Sequence, residues 1–317
     1  MNPDGAREKL EEVLARVGET IVGKEEPLRI LLVGLLADGH VLLEDLPGLG
    51  KTLMAKSFAR ALGLSFSRVQ FTADLLPHDI TGGEVYEPST GTFVFRPGPV
   101  FTHVLLADEI NRAPPKVQSA LLEAMQEYQV TSERETHPLE RPFLVMATQN
   151  PIELEGTYPL PEAQVDRFLL RLTVGYPSPS EERGILARRR ERKGDLEPPD
   201  PVLAAGEFRT LQRQVEDVDV DPSLEGYVVD LVTATRSDSR VEVGASPRGS
   251  LALTRLARAR ALLEGRDFVL PDDLKELAVP ALAHRLIIKP EPWIRGLRGT
   301  SVIRELLDRV PVPKVRG

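Results

Sequence analysis

A chain of 317 residues is long enough for two domains and a sizeable buried core. Apolar residues make up 41% and charged residues 28%, the proportions of an ordinary globular protein, and a net charge of −8 argues against non-specific nucleic-acid binding, which needs a basic face. The absence of cysteine excludes disulfides and thiolate chemistry, no apolar run reaches membrane-spanning length, and residues 1–12 lack a signal-peptide core, so the expected compartment is cytoplasmic.

The apolar spacing predicts a helix over residues 6–17, with Leu10, Val13, Leu14 and Val17 on one face, and another over 26–36. Between them lie Ile21 and Val22, which either line an adenine pocket or pack a helix start. Residues 40–43 read as a buried strand feeding Glu44-Asp45-Leu46-Pro47-Gly48-Leu49-Gly50-Lys51-Thr52, ahead of a helix over 53–62. Strand, glycine-rich turn, Lys-Thr and helix form the layout of a phosphate-binding loop, with N–H groups converging on phosphate oxygens at a helix N-terminus. Pro47, Gly48, Leu49, Gly50, Lys51, Thr52 and Leu53 are its expected contacts, Lys51 at the β- and γ-phosphates and Thr52 on Mg²⁺. The motif departs from G-x-x-x-x-G-K-[ST] at its first glycine, where this chain has Asp45.

A second strand is expected to end near Val69 and Gln70. Two short alternating runs, 83–86 and 92–95, flank the turn Pro88-Ser89-Thr90-Gly91 and predict a β-hairpin, either a functional insertion or a surface elaboration. The apolar run 104–107 ends in Asp108-Glu109. An aspartate at a strand's carboxyl end can hold a water on Mg²⁺, and an adjacent glutamate can polarise an attacking water. A helix follows over 116–128.

A second hairpin is expected across 129–140, with arms at 130–131 and 139–144 flanking the charged tip Glu133-Arg134-Glu135. Residues 143–147 read as another buried strand, ending at Thr148-Gln149-Asn150. Asn150 sits where a side chain can hold water or the γ-phosphate, although Asn-Pro is also a plain turn signal. Arg167 is either a stabiliser of the transferred phosphoryl group or half of a structural ion pair.

A boundary falls near Pro177, giving an α/β nucleotide-binding domain over 1–178, a linker or first lid helix over 179–202, and a lid over 203–317 read as purely helical. Its predicted helices cover 205–215, 222–237, 247–263 and 271–286, with one more short helix within 293–309. Proline at the first helical position marks three of them. Arg248 lies in the first turn of the third, where a helix N-terminus disfavours a cation, so an anion such as a γ-phosphate is its expected partner.

These blocks together resemble the MoxR family of AAA+ ATPases. The resemblance rests on Glu44 to Thr52, Ala107-Asp108-Glu109-Ile110-Asn111-Arg112-Ala113, Ala147-Thr148-Gln149-Asn150-Pro151, and Pro161-Glu162-Ala163-Gln164-Val165-Asp166-Arg167-Phe168. It continues through Gly244-Ala245-Ser246-Pro247-Arg248-Gly249 and Gly265-Arg266-Asp267-Phe268-Val269. It implies a central parallel sheet with two hairpin inserts and a smaller all-α lid, binding ATP and Mg²⁺. It also implies Walker A at Lys51 and Thr52, Walker B at Asp108 and Glu109, sensor 1 at Asn150, an arginine finger at Arg167 and sensor 2 at Arg248. Members similarly lack the first glycine, so Asp45 fits the family. The resemblance further implies a homohexameric ring, a partner with a von Willebrand factor A domain, and a client complex that is remodelled, matured or metallated. The ATPase subunit of a metal chelatase and a nucleotide-gated scaffold are the alternatives; a nucleic-acid motor is disfavoured by charge.

Overall fold

The computed structural model describes residues 2–132, 135–151, 156–194 and 196–313. Two helices, α1 (Pro3–Thr20) and α2 (Glu25–Leu36), lead into β1 (Val41–Glu44), the phosphate-loop segment and α3 (Lys51–Ala61). Then come β2 (Phe66–Gln70), α4 (Pro77–Thr81), the pair β3 (Gly82–Glu87) and β4 (Thr92–Pro97), β5 (Val104–Asp108), and α5 (Pro115–Glu127). The pair β6 (Gln129–Thr131) and β7 (Thr136–Pro138) precedes β8 (Leu144–Gln149), α6 (Glu162–Val165) and β9 (Leu170–Leu172). Helix α7 (Pro179–Arg192) connects to the lid: α8 (Ala205–Gln214), α9 (Pro222–Ser237), β10 (Val241–Val243), α10 (Pro247–Leu263), α11 (Pro271–Leu282), β11 (Ile287–Ile288), α12 (Pro290–Ile294) and α13 (Gly299–Arg309).

Five strands form one parallel sheet in the order β2-β5-β8-β1-β9. Their apolar runs are buried on both faces, as a parallel sheet covered by helices requires. Alternation separates the two faces. Val41, Leu43, Val104, Leu106, Leu144 and Met146 join the core shared with α1, α2, α3 and the lid. Leu42, Leu105, Ala107, Val145 and Ala147 face the core built on α5. The first core runs without a break into Phe208, Leu211, Leu253, Leu256 and Leu274, so the lid is packed against the α1–α2 side of the sheet.

Several expectations change. The lid is not purely helical: β10 and β11 pair antiparallel across the base of α9 and α13, because the chain leaving α11 through a 3-10 turn at Ala283–Arg285 has β-branched Ile287 and Ile288 to pair with Val241 and Val243. The last helical stretch is two helices, α12 and α13, separated by Gly296 at φ 90°. In the second hairpin the returning arm is β7, earlier than expected, and Leu144 already belongs to the central sheet. The tip residues Glu133 and Arg134 lie outside the described residues. The first hairpin pairs as predicted, with Val85 opposite Val94 and Tyr86 opposite Phe93.

Two buried polar groups join the sheet to its surroundings at the amino end of β1. Asp38, at φ 52° and almost fully buried, accepts from Arg141 at 2.7 Å and from Arg209 of α8 at 3.0 Å. His40 is also buried; its Nδ1 accepts from Val145 N at 3.0 Å and its Nε2 lies 3.0 Å from Met125 O, which fits the neutral Nε2–H tautomer. Burial pulls the His40 pKa down to about 4, below its ordinary 6.5. With respect to this group the fold is fully stable above pH 6.5 and loses stability as the pH falls toward 4, because the unfolded chain binds the proton first. His40→Gln should therefore remove up to about 3 kcal/mol of the stability lost on going from neutral pH to pH 4. Urea unfolding of both proteins at the two pH values checks this, and identical losses would contradict it.

Candidate nucleotide site

The carboxyl edge of the parallel sheet gathers the residues expected to meet phosphate. Gly48 and Gly50 stand at φ 82° and 78°, values that only glycine adopts freely, and they curl the chain into the N-terminus of α3. A Cβ at either position would meet nothing within 4 Å, so conformation demands glycine there and the loop faces open space. Lys51 is buried, and its Nζ donates to the carbonyl oxygens of Asp45 at 2.6 Å and Leu46 at 3.1 Å. Burial lowers the Lys51 pKa, while the charges of Asp45, Asp108 and Glu109 oppose that fall.

Asp45, the departure from the motif, has a structural task. Its buried carboxylate accepts from Val174 N at 2.7 Å and Gly175 N at 2.6 Å through Oδ2, and from Leu46 N at 2.9 Å through Oδ1. It ties the phosphate loop to the chain leaving β9, which leads into α7. A glycine there would leave buried N–H groups unpaired.

On β5, next but one to β1, Asp108 and Glu109 are held by Thr148 of the intervening β8. Thr148 Oγ1 donates to Asp108 Oδ1 at 2.6 Å and accepts from Glu109 N at 2.8 Å. Glu109 sits at φ 57°, ψ 50°, an unusual left-handed conformation for a non-glycine residue, which turns it out of the strand line. Gln70, at the end of β2, donates to Glu109 Oε2 at 2.6 Å, and Arg112 lies 3.0 Å from the same oxygen. Arg68 donates to Asp108 Oδ2 at 2.7 Å. Asn150 follows β8 directly and so shares this edge. Thr148, Gln70 and Arg68 were not among the expected site residues. Their signal was weak, since Gln70 becomes Glu109's neighbour only through the β2-β5 pairing.

A cavity of about 360 Å³ opens beside the loop. Ile21 and Val22 line it together with Gly48, Leu49, Gly50 and Leu53, so of the two readings of that segment the structure brings it to the loop. Its far wall comes from α7. These groups fit a nucleotide: an apolar slot for a base leads to backbone N–H donors and a buried ammonium. Among the described residues no group of three or more His, Cys, Asp or Glu is assembled for a metal. Mg²⁺ fits that arrangement, because it binds through one or two protein oxygens, here Thr52 and Asp108, and completes its shell with phosphates and water.

Arg167 and Arg248 are elsewhere. Leu169 N donates to His40 O as β9 begins beside β1, so Arg167 stands at the amino edge of the sheet. It lines a cavity of about 260 Å³ with Arg248, Arg255, Arg285, Asp38 and Asp166, four arginines against two aspartates. Arg167 Nε is buried without a hydrogen-bond partner. Arg248, whose N–H is capped by Ser246 Oγ at 3.2 Å, lies 3.7 Å from Asp166. The cationic excess and the unpartnered nitrogen suit an anion from outside the chain.

The model of the ATPase family associated with various cellular activities (AAA) matches residues 40–170, and the AAA lid domain matches residues 233–306. The chain is 46% identical to Chaperone MoxR1 of Mycobacterium tuberculosis over 97% of its own length and 83% of that protein. It belongs to the MoxR family of AAA+ ATPases. The chain is also 48% identical to the uncharacterized protein YeaC of Bacillus subtilis, over 97% of this chain and 96% of that one. The crystal structure of a candidate ATPase from Cytophaga hutchinsonii superposes with a TM-score of 0.91 at 41% identity, covering 98% of this chain and 97% of the other. In this MoxR chain, Asp45→Gly would create the full phosphate-loop motif yet should lower the unfolding free energy by about 3 kcal/mol, since it strips charge-assisted bonds from buried N–H groups. Chemical denaturation checks this; a variant as stable as the parent would contradict it.

Proposed function

We propose that this chain hydrolyses Mg·ATP in a closed ring of identical subunits, a homohexamer, and uses the cycle to remodel, mature or metallate a partner complex. Lys51, Thr52 and the backbone N–H groups from Gly48 to Leu53 hold the phosphates, with Pro47 at the start of the turn and Ile21 and Val22 beside the base. Mg²⁺, when bound, neutralises charge on the β- and γ-phosphates. Glu109 polarises the attacking water, Asn150 positions it, and Asp108 with Thr52 serves the metal. Arg167 and Arg248 stabilise the charge that develops on the transferred group of the neighbouring subunit's nucleotide.

The observation that supports this reading is the separation of the two halves. Arg167 precedes β9 at the amino edge of the sheet, whereas the phosphate loop follows β1 at the carboxyl edge. A four-residue strand is about 13 Å long, beyond the reach of an arginine folded back over it. A second subunit that docks its carboxyl edge against the cationic cavity supplies the missing anion, and a ring lets every subunit do both. Thr148 and Gln70 keep Glu109 oriented in its strained conformation, so polarising water costs little reorganisation. The exposed hairpin β3–β4, with Tyr86 and Phe93 in ring contact at 5.4 Å, is a surface that lid closure can move against a client. A von Willebrand factor A domain protein is the proposed adaptor, acting with this chain in the cytoplasm. No helix among the described residues is long and apolar enough to cross a membrane.

Glu109→Gln should bind ATP with near-parental affinity while turnover falls by at least about a hundredfold, the usual worth of a positioned general base. Calorimetric ATP binding and phosphate release measured on the same preparation check this. Undiminished turnover would remove Glu109 from the mechanism.

A further inference from the structure

Arg285 carries a charge into the junction between the lid and the sheet. It lies in the 3-10 turn that follows α11, and its side chain is only 2% exposed. Its Nε donates to Ala281 O at 2.8 Å, one turn back along its own helix. The rest of the guanidinium reaches out of the lid. Nη1 donates to Asp166 O at 2.6 Å and forms an ion pair with the Asp166 carboxylate. Nη2 donates to Phe168 O at 2.8 Å and to Leu169 O at 3.3 Å. His284 Nε2, one residue earlier, lies 3.2 Å from the same Phe168 O.

These three carbonyls belong to the short stretch between α6 and β9, and Arg167 stands within it. Outside helix and strand, buried backbone carbonyls need donors from elsewhere. One guanidinium supplies them on both sides of Arg167. A planar fork of five N–H donors can bracket a residue in this way, whereas an ammonium is a single point charge. From the other flank Leu169 N donates to His40 O at 2.8 Å, so the stretch is gripped by lid and sheet together. Arg167 itself is left open to the cationic cavity, its Nε buried without a hydrogen-bond partner. Asp166 extends the grip to α10. Its Oδ2 accepts from Ser246 Oγ at 3.3 Å and lies 3.7 Å from Arg248, while Arg285 occupies its Oδ1. Gly249, next to Arg248, lets α10 start this close to α11: a Cβ there would stand only 3.0 Å from Leu282 Cδ2.

We propose that Arg285 is a positioning residue for Arg167: its guanidinium clamps the backbone on both sides of that arginine and holds the Asp166 carboxylate, so that Arg167 is presented to the neighbouring subunit's nucleotide in one fixed pose. This rests on the reading of Arg167 as a cation acting across the interface, and adds the lid residue that aims it. Because the clamp comes from the lid, the position of the lid decides how Arg167 meets the next subunit.

The test compares ATP turnover and calorimetric ADP binding in single and double variants of the full chain. Arg285→Lys keeps a charge opposite Asp166 but cannot bracket Arg167, so kcat should fall about ten- to a hundredfold, the cost of a misplaced group. KM and ADP affinity should stay at their parental values, because the phosphate loop is untouched. Asp166→Asn removes the ion pair and leaves the carbonyl bonds, so kcat should fall at least about threefold. In an Arg167→Ala background neither substitution should slow turnover further, since both act through that side chain. A loss that persists in that background, or one matched by weaker ADP binding, would make Arg285 a structural strap and overturn the proposal. So would parental turnover in both Arg285→Lys and Asp166→Asn while Arg167→Ala is slow. Should Arg285→Lys not fold, Asp166→Asn and its double variant decide alone. Parental turnover in Arg167→Ala would instead overturn the reading of Arg167 on which the clamp rests.

Discussion

A parallel sheet gathers the carboxyl ends of its strands on one edge, and the rest of this molecule is arranged around that constraint. The phosphate loop follows β1, Asp108 and Glu109 close β5, and Thr148 and Asn150 close β8. Three strands that are adjacent in the order β5-β8-β1 thus bring the glycine loop, Asp108, Glu109 and Asn150 to one line, the groups that the proposed hydrolysis uses. The same topology sends Arg167 to the other edge, since β9 runs parallel to β1 and the arginine precedes it. In the proposed ring, the arginine contribution at the phosphoryl group comes from a second chain.

Position 45 shows how a motif departure can be read physically. The first glycine of a phosphate loop permits a turn, and the same place can instead carry an acceptor if the surrounding chain offers donors. Here Val174, Gly175 and Leu46 offer them, and Asp45 accepts from all three. The carboxylate locks the loop to the segment that becomes α7, so loop geometry and lid attachment share one buried anchor. The lid adds a second junction, where Asp38 meets arginines from the base of the sheet and from α8. Both junctions pair a nearly buried carboxylate with several donors, which costs less than leaving either partner alone.

Much of this was legible in the chain itself. Buried strands announced themselves as apolar runs, helix starts as proline in the first turn, and the phosphate loop as glycines between the two. Lys51, Thr52, Asp108, Glu109 and Asn150 could be singled out because each follows such a run, and the structure brings them to one edge of the sheet. What could not be read depends on pairing between segments distant in sequence. Gln70 touches Glu109 only because β2 lies beside β5, and Thr148 bridges Asp108 and Glu109 only because β8 is their other neighbour. Arg248 was expected to answer an anion; the structure sets it in the first turn of α10, 3.7 Å from Asp166, and its company of Arg167, Arg255 and Arg285 follows from lid packing. The short β10–β11 pair escaped because a two- or three-residue strand has too few positions to display alternation. Helix α7 was recognised as a connector, and its bearing on the loop appears only once α1 and α7 are seen tied together.

The central claim is that one working site takes residues from two subunits, and subunit mixing tests it most directly. Lys51→Ala lacks the cradle and Arg167→Ala lacks the trans cation, so each protein alone should hydrolyse ATP at a small fraction of the parental rate. Mixed in equal amounts under exchange, they should recover about a quarter of the parental rate, the statistical share of interfaces in which both halves are intact. A mixture no more active than its components, from proteins shown to co-assemble, would contradict a site shared between chains.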